Sequence, residues 1–148
     1  MKPESAPSTS TEDYLERIHE LIEQKGYARA VDIAVALGIS QPSVTAMVQR
    51  LAQGGYLNYE KYRGLTLTEK GKLVAGAIRE RHKTLERFFT LLNLPTETQE
   101  QDIEGLEHCL SPATVSALAR LTEFFETNPP VLRQFSAFAR KTSNLPPR

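Results

Sequence analysis

Apolar residues at helical spacing over most of the chain, a capped helix entered through a glycine-containing turn, and a short hairpin tipped with cations predict a mainly α fold. It opens with a winged helix-turn-helix and continues as a helical domain. The expected division is a disordered arm over 1–10, the winged helix-turn-helix over 11–70, a connecting helix over 71–92, a helical domain over 93–142 and a mobile tail over 143–148.

Thr11 to Lys25 places Tyr14, Leu15, Ile18, Leu21 and Ile22 on one helical face, with Asp13, Glu16 and Glu20 roughly opposite and Gly26 closing the helix. A short second helix, Arg29 to Leu37, stops at Gly38. Ser40 then caps a third helix that runs to Gln53 with Pro42 in its first turn. Val44, Met47, Val48 and Leu51 form its inward stripe. Gly54-Gly55 ends it, and Tyr56 to Glu60 with Leu65 to Thr68 read as two strands joined by Lys61-Tyr62-Arg63-Gly64. A long helix follows from Glu69 to Leu92, then shorter ones over Glu97 to Leu110, Pro112 to Thr127 and Val131 to Lys141.

The 148 residues suffice for one ordinary domain or two small ones, and 40% apolar content is enough for a core. Net charge is zero, so any attraction to nucleic acid must be local. Such a bias exists between Lys25 and Arg63, where Lys25, Arg29, Arg50, Lys61 and Arg63 face only Asp32 and Glu60. A single cysteine excludes an intramolecular disulfide framework and a multi-cysteine zinc site. The polar, Pro/Ser-rich start and the lack of a long apolar run predict a cytoplasmic protein without a membrane partner.

The outward face of the third helix carries Gln41, Ser43, Thr45, Ala46, Gln49 and Arg50, which are small or hydrogen-bonding and free of carboxylate. Gln41, Ser43, Thr45 and Gln49 suit base edges in a major groove, and Ala46 suits a thymine methyl. Arg50 with Lys61 and Arg63 of the hairpin would contact phosphates. A trihelical core with a solvated polar face is the competing reading. The cationic hairpin favours double-stranded DNA as partner.

Between Asp102 and Leu110 the chain reads Asp-Ile-Glu-Gly-Leu-Glu-His-Cys-Leu. On a helix this puts Glu104, Glu107 and His108 within about 100° of one another, beside an apolar stripe of Ile103, Leu106 and Leu110. Two carboxylates and an imidazole so spaced converge on a divalent cation, and they also describe a solvated acidic face with a core histidine. His82 interrupts the apolar stripe of the long helix, as a ligand or a core histidine. Asp13 and Glu16 ordinarily form a solvated edge. Cys109, turned about 100° from His108, is read as core.

The segments Glu12-Asp13-Tyr14-Leu15-Glu16, Glu23-Gln24-Lys25-Gly26-Tyr27-Ala28-Arg29, Tyr59-Glu60-Lys61-Tyr62-Arg63-Gly64-Leu65, Arg81-His82 and Glu104-Gly105-Leu106-Glu107-His108 resemble, in colinear order, the diphtheria-toxin-repressor-like metalloregulators in their manganese-responsive branch. The resemblance spans Thr11 to Lys141. It implies a homodimer that binds operator DNA, with a helical dimerisation domain and no SH3-like third domain, for which a chain ending at 148 has no room. It also implies a repressor of manganese uptake with two Mn²⁺ ions per subunit and no small-molecule substrate.

By the same resemblance, Asp13, Glu16, His82, Glu104, Glu107 and His108 are the metal ligands. Iron-responsive relatives use Met and Cys where this chain has Asp13 and Glu104. Four carboxylates and two imidazoles without thiolate suit Mn²⁺. His19 departs from the pattern and is read as a surface residue. The Glu16-x-x-His19 spacing superficially matches di-iron carboxylate enzymes, but the second motif those sites need is missing. The expectation is therefore a regulator and not an enzyme.

Overall fold

The computed structural model describes residues 9–60 and 64–142. They divide into two compact units, one ending at Arg79 and the other starting at Glu80.

The first unit begins with α1 (Thr9–Lys25), which buries Leu15, Ile18 and Leu21. Next comes α2 (Ala30–Leu37), whose end is set by Gly38 in the left-handed region at φ 64°. The N–H of Ile39 reaches back to the carbonyl of Ala34 at 3.1 Å, satisfying a carbonyl the helix end would leave open. Then α3 (Gln41–Gln53) starts as expected, with the Ser40 side chain accepting from the N–H of Ser43 and Pro42 in the first turn.

Strands β1 (Leu57–Glu60) and β2 (Gly64–Leu67) pair antiparallel in the register Leu57 to Leu67 and Tyr59 to Leu65. This places the hairpin where the sequence puts it, with β1 starting one residue later than expected and β2 both starting and ending one residue earlier. Leu57, Leu65 and Leu67 join Leu15, Ile18, Ile33, Val44 and Leu51 in one core with Ala75 of α4 (Glu69–Leu91). Truncating any of the fully buried members to alanine would cost roughly 2–5 kcal/mol for the larger side chains. That core is what holds α3 and the hairpin in fixed relation.

The second unit packs Leu85 and Phe89 of α4 against Ile103 of α5 (Thr96–Leu106), with Leu110 and with Leu118 of α6 (Pro112–Thr127) alongside. A two-point ion pair between Arg87 and Glu126 ties α4 to α6. The last helix, α7 (Pro129–Thr142), meets α6 through Phe125 and Phe135, whose rings lie 5.6 Å apart. It begins two residues earlier than expected, because proline is tolerated in a first helical turn where its missing N–H is not needed.

The segment after Leu106 departs from expectation. Helix α5 stops there, four residues before the predicted end, and Glu107 to Cys109 form a turn closed by the N–H groups of Cys109 and Leu110 on the carbonyl of Leu106. Ser111 precedes a proline, is driven to extended backbone and becomes the cap of α6, so α5 cannot continue through it. In that turn Cys109 is exposed, not core.

Candidate metal centre and nucleic-acid interface

In the second unit the turn after α5 brings Glu107 to His82 of α4, with His108 beside Glu107. Glu107 is 2% exposed. Nδ1 of His82 lies 2.8 Å from one Glu107 carboxylate oxygen, and the buried Nε2 of His108 lies 3.5 Å from the other. Burial pushes the Glu107 carboxyl above its usual range; the hydrogen bond and charge of His82, then the charge of His108, pull it back, and Glu104 adds to the rise. An ionised Glu107 is therefore held at a cost, and a cation beside it would offset that cost.

Arg81 donates to the Glu107 carbonyl at 3.4 Å and so helps fix the turn, a contact that sequence reasoning missed. Its only signal was the adjacency of Arg81 to His82. Glu104 is exposed, one helical turn before Glu107. Asp13 and Glu16 are half-buried on α1 of the first unit, and His19 of that helix stands 3.8 Å from Glu23. Among the described residues no group of three or more His, Cys, Asp or Glu side chains forms a ready cage for an ion. The donor chemistry of His82, Glu107 and His108 nevertheless suits a divalent cation, with one hard oxygen ligand, two borderline nitrogens and no thiolate.

In the first unit, α3 turns Val44 and Leu51 into the core, leaving Gln41, Ser43, Thr45, Ala46, Gln49 and Arg50 exposed on the opposite face. Two hydroxyls on that face already have local partners. Ser43 shares a hydrogen bond with Ser40 at 2.8 Å, and Thr45 donates to the Gln41 carbonyl at 3.0 Å. Among the hydroxyl and amide side chains of this face, Gln41 and Gln49 thus carry the longest reach. Lys61 and Arg63 of the hairpin turn lie outside the described residues. Among the described residues no single helix is long and apolar enough to cross a membrane.

The family model described as the N-terminal DNA-binding domain of iron dependent repressors matches residues 7–65, and that for their metal binding and dimerisation domain matches residues 68–135. The HTH-type transcriptional regulator MntR of Lysinibacillus sphaericus (strain C3-41) is 45% identical over 131 residues, covering 88% of this chain and 94% of the relative. The regulator of the same name from Bacillus subtilis (strain 168) is 43% identical over 135 residues, covering 91% and 95%.

Among solved structures, the manganese regulator SloR superposes with a TM-score of 0.67 at 30% identity, covering 81% of this chain and 55% of that one. ScaR with bound Zn²⁺ gives a TM-score of 0.69 at 30% identity, covering 80% and 55%. The chain thus spans about half the length of these solved chains and nearly all of the two relatives matched by sequence.

Proposed function

The chain belongs to the iron-dependent-repressor, or diphtheria-toxin-repressor-like, family of metal-dependent DNA-binding transcriptional regulators, and from that premise we propose that it is a cytoplasmic, homodimeric, Mn²⁺-activated repressor of manganese-uptake genes. The observation that carries the metal half of this reading is the Glu107 carboxylate, buried between the imidazoles of His82 and His108. The name of the relatives and the thiolate-free donors support manganese over iron.

His82, Glu104, Glu107 and His108 of the second unit would hold metal together with Asp13 and Glu16 of the first, two ions per subunit. Bound Mn²⁺ supplies positive charge that offsets the repulsion among these acids. Gln41, Ser43, Thr45, Ala46 and Gln49 would read base edges, while Arg50, Lys61 and Arg63 would bind phosphates. Each operator half-site would lie about one DNA turn, ~34 Å, or a multiple of it from the next. In the dimer the exposed Leu121 and Phe124 of α6, at 42% and 49% exposure, supply apolar surface for the partner subunit.

A titration of operator binding at fixed salt against Mn²⁺, Fe²⁺, Co²⁺ and Zn²⁺ tests this reading. Activation by Mn²⁺ at the lowest concentration relative to its cellular abundance is expected. An iron-responsive regulator of the same fold is the alternative, suggested by the family's description, and activation by Fe²⁺ with a poor Mn²⁺ response would establish it.

Acid should blunt the response. Imidazoles and carboxylates ligate only when deprotonated, and Glu107 is held above its ordinary value, so protons compete with metal at a higher pH than usual for a carboxylate. Operator affinity at fixed Mn²⁺ is expected to fall on acidification. A response unchanged down to pH ~5 would contradict the assigned ligands.

A further inference from the structure

Tyr27-Ala28-Arg29, ahead of α2, and Gly64-Leu65, at the start of β2, meet in the first unit beside a groove of about 470 Å³. Thr45, Val48 and Gln49 of α3 line it together with Arg29, Tyr59 and Leu65. Thr45 and Gln49 belong to the proposed base-reading face, so the groove is continuous with it. Among the described residues no carboxylate lines it.

The groove is built around Arg29. The N–H of Leu65 donates to the Ala28 carbonyl at 2.9 Å, fixing the strand against the residue just before Arg29. Gly64 has φ +79°, and a Cβ there would stand 2.7 Å from the Ala28 carbonyl oxygen and 3.5 Å from Cγ of Arg29. Any other residue would press on the backbone and crowd the arginine stem. The guanidinium carbon lies 4.8 Å from the centre of the Tyr27 ring, within the range of a cation–π contact. Stacking of this kind holds the planar group in one orientation while leaving its N–H donors open to an anion. Tyr59 stands opposite Leu65 in the hairpin and is 75% exposed.

We propose that this groove receives the sugar-phosphate backbone of the operator strand flanking the bases faced by Thr45 and Gln49. Arg29 is its phosphate-binding cation, Tyr27 its positioning residue, and the apolar surface of Val48 lies against deoxyribose. The inference rests on the DNA-reading assignment to α3. It adds a contact on the segment before α2, separate from the hairpin tip.

The test is the salt dependence of operator affinity, measured by fluorescence anisotropy with the Mn²⁺-saturated full chain. Arg29→Ala should lower the slope of log affinity against log salt by about 0.9, the loss of one phosphate contact, and weaken operator and scrambled duplex by the same factor. Tyr27→Phe, which keeps the ring, should match wild type. Tyr27→Leu should weaken binding without removing the charge. Mn²⁺ affinity of each variant, measured by calorimetry, should stay at the wild-type value. An unchanged slope in Arg29→Ala would overturn the proposal, as would a loss confined to the operator, which would make Arg29 a base reader. Failure of the wild-type protein to bind any duplex would overturn the α3 assignment beneath it.

Discussion

Replacing Glu107 by glutamine is expected to abolish metal-activated operator binding while leaving the fold intact. The substitution keeps the shape of the side chain and an oxygen that can accept from His82, but removes the charge a cation needs. Both imidazoles of the cluster converge on this one carboxylate, so neither can replace it. Operator affinity in excess Mn²⁺ should fall to that of the metal-free protein, a drop of roughly 5- to 150-fold if the coupling has ordinary strength.

The same substitution has an opposite effect on the metal-free fold. Burial holds the Glu107 carboxyl above its ordinary value, so the folded state binds its proton more tightly than the unfolded chain does. Its contribution to stability is complete below the unfolded value and is lost as pH rises through the folded one. At neutral pH the metal-free variant should therefore melt no lower than wild type, and the advantage should vanish on acidification. A variant that melts far lower without metal would show that the ionised carboxylate stabilises the metal-free fold through its contacts with His82 and His108. Thermal melts with and without Mn²⁺ separate these outcomes.

Gln49→Ala is expected to remove base discrimination without removing DNA binding. Gln49 is exposed on the outward face of α3, and its amide can pair with a purine in two-point fashion. Loss of one such contact costs about 1–3 kcal/mol, roughly 5- to 150-fold, against the preferred operator. Affinity for scrambled duplex should hardly change, because phosphate contacts supply it. Competition between the two duplexes at fixed salt and saturating Mn²⁺ measures the ratio. An equal loss on both duplexes would move Gln49 from base reading to the backbone.

The first unit was legible because its signals are local. Ser40 as cap, Pro42 in the first turn, Gly38 after the last apolar residue of α2 and Val44 with Leu51 inward each follow from backbone chemistry within a few residues. Around Glu107 the local signal misleads. Periodicity carried α5 to Leu110, and only the competition of Ser111 and Pro112 for the next helix ends it at Leu106. The shortened helix left Cys109 exposed while still delivering Glu107 to His82, with His108 beside it.

The meeting of Glu107 with residues some 25 positions away was visible only through the family resemblance, since no local rule pairs α4 with the turn after α5. Arg81 escaped for a related reason. It meets a backbone carbonyl supplied by fold geometry, and a lone arginine on a helix reads as solvated surface. Arg29 was legible only as part of the local cationic bias, because its contact with the Tyr27 ring is likewise set by the fold.

On the proposed reading, metal and operator favour the same conformation of the protein. Linkage then requires each to tighten the other by the same factor. The direct measurement is Mn²⁺ affinity by calorimetry, for the protein alone and for the protein saturated with operator duplex. Binding about 5- to 150-fold tighter in the complex is predicted. Equal Mn²⁺ affinity in the two states would contradict it, because a ligand indifferent to the DNA-competent state cannot select that state.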